Sequence, residues 1–372
     1  MLQLCDAGID KIGADSMLFR ESIFITGFPG FIASRLVERL ASTETQFFLL
    51  VQPQFVEQAM DEIEAIAEAT DTPLESYVIV EGDITQPRLG IEHDDYETII
   101  YETTDIYHLA AVYDLAVAKD IAFSVNLEGT KNVNDFARSV KELKRYNYIS
   151  TCYVAGKREG TILESELEHD AGFRNYYEET KYLAEVEVEK LKSELPVTIH
   201  RPSVVVGDST TGETAKYDGI YYLIKYLMKA PSVLRLLNVG NDKVRLNLVP
   251  VDFVVDGIAA LARDSKAAGK TIAIADPSPL TTAELFDVIA EDLTGRKSEF
   301  HPPIKLANWF LNTPISPPIT GLPHSGVPYF FISQLYDTAI ATELLSKHGI
   351  ACPRFPDYVE HLLDFVEENP TL

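Results

Sequence analysis

Residues 22–33 read SIFITGFPGFIA, and the fold follows from how this stretch divides. SIFIT (22–26) is a short apolar run of strand length, and it enters a tight turn at Gly27-Phe28-Pro29-Gly30. From Phe31 onward Ile32, Leu36, Val37 and Leu40 recur at helical spacing, which predicts a helix over 31–40. The next apolar run, FFLLV (47–51), reads as a second buried strand. Strand, glycine turn, helix and strand within about 30 residues make a βαβ unit of the size that binds dinucleotides. Gly27 and Gly30 permit the turn and let backbone N–H groups approach a pyrophosphate at the helix N-terminus. Ala33 is small enough for close helix–strand packing. Thr26, Gly27, Phe28, Pro29, Gly30, Phe31 and Ile32 are therefore the candidate cofactor contacts of this turn.

Further along, strand signals at 77–80, 105–110, 146–151 and 197–201 alternate with helix signals at 56–67, 121–140 and 176–191. That alternation calls for a doubly wound parallel α/β sheet covered on both faces. After about residue 203 helices persist (221–228, 254–262, 282–293) while strands become sparse. Residues 301–331 hold seven of the twenty prolines together with Trp309, Phe310, Tyr329, Phe330 and Phe331. Proline breaks regular elements, yet the stretch is too apolar for a plain linker. It reads as an arm that either lids a substrate cleft or covers core. The expected organisation is an extension over 1–20 (with Met17 as an alternative start), a dinucleotide-binding domain over 21–202, and a smaller α+β substrate lobe over 203–372. Residues 246–265 are expected to pack back on the first domain.

Composition narrows the function classes. The 372 residues carry 32 Lys+Arg and 57 Asp+Glu, a net charge of −25, and 46% are apolar. Such a chain can build a core, but it lacks the basic surface that nucleic acid or a polybasic membrane anchor needs. Cys5, Cys152 and Cys352 lie far apart and form no CxxC pair or zinc spacing, so no metal site and a cytoplasmic location are expected. No apolar run reaches the ~18 residues of a membrane span, and the N-terminus lacks the basic and apolar regions of a signal peptide.

Two further segments carry chemistry. In YEETK (177–181) a Tyr and a Lys four apart share one helix face. An ammonium beside the phenol favours phenolate; bringing a pKa of ~10 toward neutrality requires about 4 kcal/mol of differential stabilisation. Such a Tyr can give a proton to a carbonyl oxygen as hydride arrives. The pattern alone is weak, because solvated helix faces often hold Tyr and Lys. STCYVAG (150–156) is a strand end rich in hydroxyls, at the edge where ligands sit in open α/β sheets. Thr151 there can hydrogen-bond a reacting carbonyl.

Taken together, TGFPGFIA (26–33), Gly82-Asp83, HLAA (108–111), VNLEGT (125–130), STCYVAG, YEETK and RPS (201–203) resemble the extended short-chain dehydrogenase/reductase superfamily over about 22–261. STCYVAGKREG (150–160), RPSVVVGDSTTGE (201–213) and LNLVPVDFVVDGI (246–258) resemble its thioester-reductase and fatty acyl-CoA reductase ("male sterility") branch. The resemblance implies catalytic roles for Thr151, Tyr177 and Lys181. It implies adenine-side contacts at Asp83 and the adjoining Ile84, a cofactor groove at Ala110 and Ala111, and a segment beside the nicotinamide at Pro202 and Ser203. His108 and Asn126 match family positions and read as mainly structural.

The chain departs from the pattern after its second strand. NAD enzymes tend to carry a carboxylate there for the ribose diol and NADP enzymes a cation for the phosphate, but this segment is Val51-Gln52-Pro53-Gln54. The resemblance tilts the expectation to NADP(H), with NAD(H) as the alternative and Gln52 as the residue in position. The implied activity is NAD(P)H-dependent reduction of a carbonyl on a hydrophobic substrate, a fatty acyl thioester or its aldehyde, CoA- or carrier-linked. A ketone or alcohol dehydrogenase on a sterol-like or β-keto substrate, a sugar-nucleotide epimerase and a non-catalytic NAD(P)-binding scaffold are the alternatives. Polyanionic ligands on an acidic chain require local cations, for which Lys225, Lys229 and Arg235 are the candidates.

Overall fold

The computed structural model describes residues 19–229, 236, 238–299, 302, 309, 313 and 327–372. The N-terminal extension, most of the 301–331 arm and the side chains of Lys229 and Arg235 lie outside the described residues.

The alternation of apolar runs and amphipathic stretches becomes β1 (Glu21–Thr26), α1 (Phe31–Leu40), β2 (Thr45–Val51), α2 (Val56–Thr70), β3 (Tyr77–Glu81), α3 (His93–Glu102) and β4 (Asp105–His108). Next come α4 (Lys119–Ala122), α5 (Gly129–Ser139), β5 (Arg145–Ile149), β6 (Gly160–Ile162), α6 (Tyr176–Leu191), β7 (Val197–Pro202) and β8 (Val204–Val206). The remainder is α7 (Ile220–Lys229), β9 (Leu248–Pro250), α8 (Val251–Arg263), β10 (Thr271–Ile274), α9 (Thr282–Thr294), β11 (Gln334–Tyr336), α10 (Ala339–Ser346) and α11 (Phe355–Glu368).

Two compact units result. One comprises the chain up to Gly156 with Gly172–Arg201 and Val255–Ile272; the other comprises Lys157–Ala171, Pro202–Val254 and Ala273–Leu372. The main sheet has seven strands in the order β10-β7-β5-β4-β1-β2-β3. From β3 through to β7 the pairings are parallel, with Phe24 of β1 opposite Phe48 of β2 and Ile106 of β4. The order reverses between β1 and β4, so the crevice beyond their C-terminal ends is the topological switch point, and the Gly27 turn opens there. Ile23, Phe24 and Ile25 are fully buried, as a strand covered on both faces requires. α1 lays Ala33, Leu36, Val37 and Leu40 against the sheet. The second unit has its own core around Tyr221, Ile224, Leu227, Phe286, Tyr358 and Leu362, with short parallel pairs β8–β9 and β6–β11.

Several elements differ from the sequence reading, among them β10, α3 and the helix expected over 121–140. β10 joins the main sheet although strands were expected to fade after 203; TIAI is too short and too plain to announce a strand by pattern. α3 was not expected, because only Tyr96, Ile99 and Ile100 of its ten residues are buried. The single helix expected over 121–140 is interrupted by a π-helical turn, Phe123–Glu128. Widened turns of this kind free side-chain and backbone groups for other partners, and here Asn126 turns inward.

Candidate active site

The glycine turn is shaped by what passes beside it. Gly27 has φ +93°, and a Cβ there would lie 2.8 Å from the Ala110 nitrogen, so only glycine fits against the exit of β4. A Cβ on Gly30 would meet the Gly27 oxygen at 2.7 Å. The start of α1 carries no side-chain cap and no acidic residue in its first turn. Its first N–H groups and the positive end of its dipole suit the anionic pyrophosphate of a dinucleotide. Thr26 and Phe28 are buried, and the Thr26 hydroxyl accepts from the Ala110 N–H at 3.2 Å. Their side chains serve the turn, leaving backbone atoms to face a ligand.

At the end of β2, Gln52 Nε2 donates to Asp83 Oδ2 at 2.8 Å, and the Thr85 N–H donates to Asp83 Oδ1 at 2.8 Å. The segment after β2 is thus neutral in itself but holds a carboxylate beside it, a contact that the sequence did not reveal. Ile84 is buried, while Ala110 and Ala111 are half-buried. Pro202 and Ser203 fall in the second unit, where the Ser203 hydroxyl donates to Asn247 Oδ1 at 2.7 Å.

Thr151, Tyr177 and Lys181 come together in the first unit by two routes. β5 ends at Ile149, two residues sooner than expected, and Thr151 caps the following short turn by accepting from the Tyr153 N–H at 3.2 Å. α6 starts at Tyr176 behind Asn175, whose side chain accepts from the Glu178 N–H at 2.9 Å. This cap sets the helix phase, so that Tyr177 and Lys181 share a face. The hydroxyls of Tyr177 and Thr151 are hydrogen-bonded.

Lys181 is not held by Tyr177. Its Nζ donates to the Tyr148 hydroxyl at 3.0 Å and to the Ile149 carbonyl at 2.8 Å. It also stands 4.5 Å from the Tyr148 ring centre. The expectation of a phenol lowered by an adjacent ammonium is therefore corrected. Burial pushes Tyr177 up to about 12, partly offset by the Thr151 hydroxyl. Burial pushes Lys181 down to about 7, opposed by Glu185. The physical reason is competition: the Lys181 ammonium is taken by the carbonyl and hydroxyl that β5 offers.

Behind the trio lies a buried ion pair that sequence reading missed. Arg201 Nε donates to Glu185 Oε1 at 2.9 Å, both side chains being buried, and Ser150 donates to Glu185 Oε2. Glu185 continues the four-residue stripe of Tyr177 and Lys181 along α6, which is the signal that would have found it. Tyr148 and Thr130 were missed too; a hydroxyl-bearing aromatic on a core strand reads simply as core. Among the cations expected to meet polyanions, Lys225 donates to the Pro370 carbonyl at 3.1 Å and lies over Tyr217, within the second unit. Among the described residues no acid, His or Cys cluster would hold a metal, and no helix is long and apolar enough to cross a membrane.

Residues 25–258 match the model of a protein family described as male sterility protein, an NAD-binding domain. Fatty acyl-CoA reductase wat of Drosophila melanogaster is 26% identical over 280 residues, covering 66% of this chain and 54% of that protein. The chloroplastic fatty acyl-CoA reductase 2 of Arabidopsis thaliana is 25% identical over 367 residues, covering 76% and 58%. The chain spans about half the length of these curated relatives. Among solved structures, the terminal R domain from the myxalamid PKS-NRPS biosynthetic pathway superposes with a TM-score of 0.78 at 24% identity, covering 95% of this chain and 92% of that one. The UDP-glucuronic acid 4-epimerase from Bacillus cereus in complex with NAD gives 0.63 at 18% identity, covering 94% and 97%. At these identities the solved structures speak for the fold.

Proposed function

The chain belongs to the male sterility protein family, in the acyl-reductase branch of the extended short-chain dehydrogenase/reductases; from that premise we propose that it is an NAD(P)H-dependent reductase of a hydrophobic acyl thioester, or of the aldehyde derived from it. The observation that carries the reading is the meeting of Thr151, Tyr177 and Lys181 beyond the end of β5, with the two hydroxyls hydrogen-bonded and one ammonium N–H left over. The names of the curated relatives support the thioester class.

When bound, the nicotinamide supplies a hydride. The chain supplies the rest. Gly27, Gly30 and the start of α1 would hold the pyrophosphate, and Asp83 with Ile84 would meet the adenine side. Lys181, with two of its three N–H donors committed to β5, has the third for a ribose hydroxyl. Tyr177 stays protonated at neutral pH and gives that proton to the carbonyl oxygen as charge develops there. The Thr151 hydroxyl, hydrogen-bonded to the phenol oxygen, orients Tyr177 toward the carbonyl. With a thioester, collapse of the resulting hemithioacetal releases a thiol, and a second reduction is needed to reach the alcohol.

For the cofactor we favour NADP(H) over NAD(H). Gln52 and Gln54 are uncharged, and both oxygens of the nearby Asp83 already accept hydrogen bonds, which weakens the repulsion of a 2′-phosphate. Pro202 and Ser203 are kept as nicotinamide-side candidates on the resemblance alone. The test is oxidation of NADPH and NADH against a panel of acyl-CoAs, aldehydes and ketones, with thiol release followed in parallel. Thiol release with acyl-CoA is the expected result. Ketone turnover without thiol would replace this reading with the dehydrogenase one, and a lower KM for NADH would reverse the cofactor choice.

A further inference from the structure

Two sets of buried hydrogen bonds meet beside Lys181, one from the ammonium to Tyr148 and one from Thr130 to the glycine turn. The Asn126 carbonyl can only accept, so Thr130 Oγ1 donates to it, at 2.7 Å. Having spent its proton, Thr130 accepts from His108 Nε2 at 3.0 Å, and the Tyr148 hydroxyl adjoins it. The Tyr148 phenol oxygen accepts from Lys181 Nζ at 3.0 Å, since an ammonium can only donate. Burial pushes His108 down to about 3, so its ring is neutral. With the proton on Nε2, Nδ1 accepts from the Thr26 hydroxyl at 2.7 Å. Thr26 in turn accepts from the Ala110 N–H beside Gly27. Each of these buried polar atoms has a partner in this arrangement, the condition under which an internal network rigidifies rather than destabilises. Because Thr130 has already given its proton to the Asn126 carbonyl, the chain is a bracket and not a proton wire.

We propose that Tyr148 is a positioning residue of this site: its phenol oxygen accepts from Lys181 and fixes it, beside the Thr130–His108–Thr26 chain that runs to the cofactor turn. The proposal rests on the reading of Lys181 as the residue that holds the cofactor ribose. The charged and titratable groups around Lys181 are Glu185 and Tyr177 on its own helix, Tyr148 on β5 and His108 on β4. Of these, Glu185 opposes loss of the proton, and neutral His108 adds no charge. A phenol oxygen accepts more strongly from an ammonium than from a neutral amine, so removing it is expected to lower the pH at which Lys181 loses its proton. Tyr148→Phe keeps the ring under the cation and removes only the acceptor.

The experiment is fluorescence titration of NADPH and NADH onto the full chain over roughly pH 5.5–9, for wild type, Tyr148→Phe and Tyr177→Phe. Wild-type affinity is expected to fall as pH rises through about 7. In Tyr148→Phe that limb moves down by about one pH unit, so binding at pH 7 weakens up to ~10-fold; in Tyr177→Phe the limb stays in place. A Tyr148→Phe profile that overlays wild type overturns the positioning role while leaving the reductase reading intact. Failure of wild type to bind either cofactor overturns the reductase reading and this proposal with it. Should Tyr148→Phe not fold, Thr130→Val and nitrogen NMR of wild-type His108 decide the matter. The same, smaller displacement of the limb and a neutral Nε2–H ring at pH 5 are expected. An unmoved limb, or a ring protonated on Nδ1, overturns the bracket.

Discussion

Glu185 and Arg201 form a buried ion pair between α6 and β7, with Arg201 Nε 2.9 Å from Glu185 Oε1 and Ser150 donating to the other carboxylate oxygen. The pair ties together the helix that carries Tyr177 and Lys181, the strand end that leads to Thr151, and the neighbouring strand. Two buried charges gain little net stability over apolar residues, but breaking such a pair leaves an uncompensated charge. Glu185→Gln is therefore expected to destabilise the fold by about 3–5 kcal/mol. Joint replacement by Glu185→Leu and Arg201→Met is expected to recover most of that loss. Urea denaturation followed by circular dichroism checks both, and a single variant as stable as wild type would contradict the argument.

Tyr177 keeps its proton at neutral pH, since burial holds its phenol at about 12, and it is the group proposed to pass that proton to the carbonyl. Tyr177→Phe is expected to lower kcat by ~10³-fold or more, with cofactor affinity within a factor of two of wild type. Steady-state rates and cofactor titration on the same preparation check this.

Thr151 has two tasks that separate by substitution. Its oxygen caps the turn through the Tyr153 N–H, and its hydroxyl adjoins Tyr177. Thr151→Ala is expected to cost ~10²-fold in kcat with little change in substrate KM. Thr151→Ser keeps both tasks and should retain most of the rate. Equal losses in the two variants would remove the hydroxyl from the chemistry.

A pH effect on stability follows from Asp105 at the start of β4. Burial, reinforced by Glu21, pushes its carboxyl up to about 6 against the Thr104 hydroxyl bond and the charges of Lys144 and Arg145. The folded state then binds this proton more tightly than the unfolded chain, whose Asp pKa is ~3.9. Stability is lost as pH rises from about 4 to about 6 and levels off above. Asp105→Asn is expected to abolish that slope and to add up to about 3 kcal/mol at pH 7. Denaturation midpoints at pH 4.5 and 7 measure it.

Much of the first unit was legible from residue order. SIFIT, FFLLV and the 3.6-residue spacing of Ile32, Leu36, Val37 and Leu40 are local patterns, and β1, α1 and β2 formed within two residues of where those patterns lie. α6 matched its expected span of 176–191, because its cap and its apolar spacing are both written in sequence. β10 and α3 were not legible: one is four residues long and the other buries only three, so neither carries a period that a window can detect.

By itself the sequence determined the glycine turn, the doubly wound sheet and the Tyr-Lys face of one helix, all of which depend on spacings of a few residues. Tertiary structure alone decided which groups hold that lysine. Tyr148 lies 33 residues from Lys181, and Thr26 lies 82 from His108. Contacts over such separations arise only when β1, β4 and β5 pair side by side and α5 and α6 pack over them. The same burial reversed the expected electrostatics, raising the phenol and lowering the ammonium, because desolvation acts on a group's final surroundings and not on its neighbours in the chain.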